Sequence, residues 1–73
     1  HIQVNAVAPC VVRTQFSQPF WSNDSILQEI LKTIPSGRIA EPDDVVGAVL
    51  FLASSLSDFI TGEVVNVDGG SMA

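Results

Sequence analysis

The sequence predicts an α/β fold, arranged as a strand-helix-helix-strand unit whose two strands are joined by a parallel crossover. Three observations carry that expectation. A short apolar stretch stands near each end, two segments with helical spacing stand between them, and the second helix matches the last strand in length. About thirteen helical residues at 1.5 Å and about six strand residues at 3.3 Å each span roughly 20 Å. Parallel strands need such a connection, because a tight turn returns the chain antiparallel.

The elements follow in order. Ile2 to Ala8 reads as a strand, with Ile2, Val4, Ala6 and Ala8 on one face and Val7 on the other, so both faces are apolar. Pro9 closes it. Residues 9–24 lose any period and contain Pro19 and the run Ser22, Asn23 and Asp24, which reads as an irregular loop with an apolar side at Phe16, Phe20 and Trp21. Asn23 or Asp24 can cap a helix over residues 25–34, where Ile26, Leu27, Ile30, Leu31 and Ile34 recur at the spacing of one helical face. Pro35, Ser36 and Gly37 stop it. A second helix over residues 42–54 begins with Pro42 after Glu41, and Asp43 and Asp44 put negative charge at the positive end of its dipole. Val45, Val46, Val49, Leu50, Leu52 and Ala53 form a wide apolar arc, and Gly47 and Ala48 are expected to let another backbone approach. Residues 63–68 alternate as the last strand, with Val64 and Asn66 on one side and Val65 and Val67 on the other.

Composition bounds what such a unit can do. The 73 residues are 47% hydrophobic, which is rich for a chain with so much surface relative to volume. For this size the gain from burial and the entropy of ordering nearly cancel. One cysteine, Cys10, and one histidine, His1, leave no disulfide and no histidine-cysteine metal site to tip that balance, so contact with further protein is the expected source of stability. A net charge of -5 with only Arg13, Lys32 and Arg38 as cations gives no footprint for nucleic acid or for an anionic membrane surface. The longest apolar run, Val45 to Ala53, falls far short of the roughly 18 to 20 residues of a membrane span. No secretory pattern opens the sequence, and a single unpaired thiol fits a reducing, cytoplasmic setting. The chain starts inside a strand-like stretch without methionine, as a piece of a longer protein would.

Three stretches together resemble the short-chain dehydrogenase/reductase family. Ile2 to Thr14 (IQVNAVAPCVVRT) is similar to its sixth strand and the nicotinamide-side loop that follows. Gly37 to Asp44 (GRIAEPDD) resembles the start of its last long helix, and Ile60 to Gly70 (ITGEVVNVDGG) its seventh strand and the next turn. The resemblance implies a fragment of a doubly wound Rossmann-type fold, whose ligands bind at the carboxyl ends of the strands. It implies a parent oxidoreductase using NAD or NADP on a small carbonyl or alcohol substrate. By the same resemblance Pro9 lies beside the nicotinamide ring, the Val12 backbone meets its carboxamide, and the Thr14 hydroxyl hydrogen-bonds that carboxamide. Phe16, Phe20 and Trp21 would belong to a substrate lid that excludes water. In the family the last helix and strand commonly form a subunit interface. Val45–Ala53 and Val64–Val67 are therefore expected to meet either the missing N-terminal portion or a second copy.

The family's glycine-rich phosphate turn and its Ser, Tyr and Lys catalytic groups belong upstream of His1. This chain has no tyrosine, and Lys32 has none four residues before it, so it is expected to be inactive alone and to supply no catalytic residue. A non-catalytic association module is the alternative. Cys10 departs from the family's usual glycine, and a side chain there would crowd the ring or forbid a positive φ. As a nucleophile it would have only His1 as a base, and a small buried side chain is the plainer reading. Asp43 and Asp44 read as dipole compensation rather than an acid/base pair, and Asp68-Gly69-Gly70 as a strand-ending turn, since no phosphate-loop motif occurs. Phe16, Phe20 and Trp21 stand open between lid and ordinary packing.

Overall fold

The computed structural model describes residues 2–73; His1, the base that the sequence offers Cys10, lies outside them. The element order is β1 (Ala6–Pro9), α1 (Gln18–Trp21), α2 (Asp24–Leu31), α3 (Pro42–Ala53) and β2 (Val64–Val67), with a 3-10 turn at Ser55–Ser57 after α3. The strands pair in parallel, Ala6 beside Val64 through Pro9 beside Val67.

Strand β1 begins four residues later than expected and runs through Pro9. Across from residues 2–5 the chain is still turning, and Gly62 sits at φ 76, so no regular ladder is available. One backbone bond, from the Gly62 N–H to the Val4 carbonyl at 2.8 Å, and several side chains fasten this stretch instead. Gln3 Nε2 donates to the Ser57 and Ile60 carbonyls, both at 2.6 Å, and Asn5 Oδ1 accepts from the Glu63 N–H at 3.0 Å. The ladder starts where Ala6 N–H donates to the Glu63 carbonyl at 2.9 Å and ends where Cys10 N–H donates to Val67 at 3.3 Å. Donation to β2 thus falls on even positions, and Pro9, at an odd one, gives up an N–H that would face the open edge.

Helix α2 ends at Leu31, three residues short of expectation. The Thr33 and Ile34 N–H groups reach back only three residues, to Ile30 and Leu31, which tightens the last turn. Pro35 biases Ile34 out of the helical region. Ile34 therefore leaves the helical face and becomes the most buried apolar residue, 3% exposed, beside Ile39 and Ala40. Asn23 is the N-cap, its Oδ1 accepting from the Ile26 N–H at 3.3 Å. The loop expected over residues 9–24 contains the short helix α1, which sequence spacing did not show.

Helix α3 alone covers the sheet; α2 packs on α1 and touches neither strand. The least exposed stripe of α3, with Val45, Ala48 and Leu52, marks the side that is covered. Val46, Val49, Leu50 and Phe51 remain 42–63% exposed. Val7 and Val65 are half-buried, whereas Val64 on the opposite face is 58% exposed. No backbone closes on Gly47, where an added Cβ would meet nothing within 4 Å, so the expected close approach does not occur within this chain.

The resulting body measures 47 × 25 × 14 Å, with a radius of gyration of 14.2 Å. A compact chain of this length would have about 11 Å. Its accessible surface is 5395 Å², against about 4,400 Å² for a folded monomer of the same mass. Exposed apolar side chains on α3 and β2, and others such as Phe16, Leu56 and Phe59 outside them, contribute to the excess.

Candidate functional site

The candidate site lies where β1 ends. From Val11 to Arg13 the chain stays extended and forms a parallel bridge with Ala40: Ala40 N–H donates to the Val11 carbonyl at 3.0 Å, and Arg13 N–H to the Ala40 carbonyl at 2.7 Å. Backbone groups alternate along an extended strip, so the Val12 N–H and C=O point away from Ala40. The Val12 carbonyl accepts from the Ser17 hydroxyl. Among the described residues, the Val12 N–H has no backbone acceptor.

Pro9, Val12 and Thr14 line one groove of about 470 Å³, together with Pro42, Val45, Val46, Val49 and Leu50. The helical contribution is a single stripe of α3 at three- and four-residue spacing, which is why the wall is apolar throughout. The only side-chain polar group among these residues is the exposed Thr14 hydroxyl. The surface these residues turn to the groove is apolar, the Thr14 hydroxyl being engaged with Ser17. The three residues assigned to a nicotinamide by resemblance are thus brought together.

Phe16, Phe20 and Trp21 are not part of that groove. Trp21 folds back as a clasp: its indole N–H donates to the Thr14 carbonyl at 3.2 Å, and the Arg13 guanidinium lies 5.8 Å from the ring centroid. Arg13 also pairs with Glu41 at 2.9 Å, which ties the loop to the start of α3. Phe16 is 94% exposed and Phe20 51%.

Cys10 does not line the groove. It is half-buried in a separate concavity with Ser36, Arg38, Asp44 and the 66–70 segment, and among the described residues only glycines have a positive φ. The substitution of glycine by cysteine therefore neither fills the groove nor strains the loop. Asp43 and Asp44 do sit in the first turn of α3, but they differ in what they bind. Asp44 Oδ2 accepts from the Glu41 N–H at 2.7 Å, and both its oxygens take the Arg38 guanidinium, at 2.8 and 3.2 Å. The Arg38 hydrogen bonds, and then that from the Glu41 backbone, hold the Asp44 carboxyl down at about 2. This fork was not foreseen, although Arg and Asp six residues apart across a helix start are visible in the sequence.

The strand-ending reading of Asp68-Gly69-Gly70 matches the geometry. Asp68, 8% exposed, accepts from the Gly70 and Met72 N–H groups at 3.0 and 3.2 Å, and both glycines have positive φ. No helix among the described residues is long and apolar enough to cross a membrane.

A family model described as enoyl-(acyl carrier protein) reductase matches residues 1–72. The 3alpha-hydroxysteroid dehydrogenase of Mediterraneibacter gnavus is 41% identical over 71 residues, which is 97% of this chain and 28% of that relative. The crystal structure of a gluconate 5-dehydrogenase from Burkholderia cenocepacia in complex with NADP and tartrate matches with a TM-score of 0.89 and 34% identity, over 96% of this chain and 28% of its own. A short-chain type dehydrogenase/reductase from Mycobacterium ulcerans matches with a TM-score of 0.92 and 33% identity, over 96% and 26%. The chain thus spans little more than a quarter of the proteins it resembles.

Proposed function

Because the chain belongs to the short-chain dehydrogenase/reductase family, we propose that it is the C-terminal part of an NAD- or NADP-dependent oxidoreductase acting on a carbonyl or alcohol substrate. Its share of the work is to hold the nicotinamide end of the cofactor and to complete the sheet edge. The observation that carries this reading is the convergence of Pro9, Val12 and Thr14 on one apolar groove with the Val12 N–H directed away from the Ala40 bridge.

In this reading Pro9 and the α3 valines form the dry wall of the ring site, which strengthens polar contacts made inside it. The Val12 N–H and the Thr14 hydroxyl hold the carboxamide, so that the ring presents a fixed face. The bound cofactor supplies hydride transfer. Trp21 and Arg13 anchor the loop from behind, while Phe16 and Phe20 are free to meet substrate as parts of the lid. The proton-transfer groups come from the parent's other segments, since the chain has no tyrosine.

The test is an assay of the intact protein and of the 73-residue chain with both nicotinamide cofactors and a panel of ketones and alcohols. Turnover by the intact protein and none by the chain is the expected result. Turnover by the chain alone would sink the division of labour proposed. A second reading, an association module, has its own support in the exposed Val46, Val49, Leu50 and Phe51 on α3 and Val64 on β2. The two are compatible, because the covering surface can be the remaining portion of the parent or a second copy.

A further inference from the structure

We infer that Ser17 is the positioning residue of the nicotinamide loop, setting the Thr14 hydroxyl for the carboxamide. The inference rests on the reading that Thr14 and Val12 hold that group, and deepens it by one residue which neither motif nor resemblance singled out.

The side chain of Ser17 ties Thr14 back to the extended strip. Its hydroxyl donates to the Val12 carbonyl and accepts from the Thr14 N–H at 3.1 Å. The Thr14 hydroxyl in turn accepts from the Ser17 N–H at 3.3 Å. These reciprocal bonds over three residues have the form of a capping box, although only the short α1 follows. They have two consequences. The Val12 carbonyl is held, while the Val12 N–H, which belongs to the preceding peptide plane, takes its direction from the Val11 carbonyl bonded to Ala40. And Thr14 Oγ1, having taken the Ser17 N–H on one lone pair, keeps its own hydrogen for a donor role. Ser17 Oγ, at 3.3 Å, can accept that hydrogen within the loop. An O–H···O contact of this length is long against the usual 2.7–2.8 Å or so, and exchanges readily for a ligand carbonyl.

The scaffold around the loop does not depend on Ser17. The Val11–Arg13 strip is fastened to Ala40 by backbone bonds, and Thr14 is held from the other side by Trp21. Removing the Ser17 hydroxyl should therefore loosen Thr14 without dissolving the loop.

The experiment uses the intact protein with Ser17→Ala, Ser17→Thr, Thr14→Val and the Ser17→Ala/Thr14→Val double variant. Ser17→Ala is expected to raise the cofactor KM about three- to tenfold, the scale of one or two lost hydrogen bonds. The substrate KM and the thermal midpoint should hold, and Ser17→Thr should restore the cofactor KM. In the double variant the effect of Ser17→Ala should shrink, because its route runs through Thr14. Should Thr14→Val weaken cofactor binding while Ser17→Ala leaves it unchanged, the positioning role falls and the site stands. Should Thr14→Val leave the cofactor KM unchanged, the site reading fails and the inference with it. Equal shifts in both KM values and in the thermal midpoint without rescue by threonine, or failure of Ser17→Ala to fold, would make Ser17 a structural prop and overturn the inference.

Discussion

Gly69 shows how much a single position can decide in a chain with so little interior. Its φ is 61, and an added Cβ would stand 2.7 Å from Ile34 Cγ2 and 3.1 Å from Ser36 Cβ. Ile34 is one of three buried apolar residues among the described residues, so it cannot retreat without opening the small core. Left-handed backbone costs an L-residue about 1–2 kcal/mol, and the clash adds to it. Gly69→Ala in the intact protein is expected to lower stability by about 2–3 kcal/mol, read by denaturant unfolding. Gly37 is a control, since its φ is 80 but no atom lies within 4 Å of an added Cβ. Its alanine variant should show the backbone cost alone. Equal losses at the two sites would mean that the contact with Ile34 has no weight.

Asp44 belongs to the scale of the element, because it organises the start of α3 rather than any reaction. It accepts from the Glu41 N–H and receives the Arg38 fork, while Asp43, its neighbour, has no such partners among the described residues. The carboxyl is depressed from an ordinary 3.8 to about 2 when folded. A depressed acid stabilises the folded state above its ordinary value, and that contribution is lost as pH falls from 3.8 through about 2. The pair is exposed to solvent, so salt should weaken it. Asp44→Asn in the intact protein should flatten the fall in unfolding midpoint across that acid window, and Asp43→Asn should leave it in place. An unchanged acid slope in Asp44→Asn would place the proton uptake elsewhere.

At this scale the sequence was most informative where local chemistry and packing agree. The start of α3 was legible because Pro42 and the two acids act within one turn, and the β2 alternation because period two survives even in a half-covered sheet. The early start expected for β1 failed for a nonlocal reason: its partner segment turns at Gly62, which the apolar pattern of Ile2 to Ala8 does not register. The overlong α2 failed because Ile34 continues the helical spacing while Pro35 and the core pull it away. Helix α1 has four residues, too few to show a period. Pro9, Val12 and Thr14 were named through resemblance alone and line one groove, whereas the Ser17 hydrogen bonds arise only once the loop has folded.

The whole molecule is a surface seeking cover. Its accessible area exceeds that of a compact chain of equal mass by about 1,000 Å², more than one partner contributes to a standard protein-protein contact, about 800 Å². Five of the exposed large apolar side chains cluster on α3 and β2: Val46, Val49, Leu50, Phe51 and Val64. In isolation the 73-residue chain should therefore associate, and sedimentation is expected to show species larger than a monomer with dye binding to exposed apolar surface. Val49→Glu, which puts a charge at the middle of the α3 stripe, should shift the isolated chain toward monomer. In the intact protein the same change should disturb stability or subunit mass, because Val49 also lines the groove beside Pro9. A dye-silent, monomeric chain at high concentration, with Val49→Glu indistinguishable from it, would show that one helix over two strands suffices as a folding unit. The exposed stripe would then need another explanation than a missing neighbour.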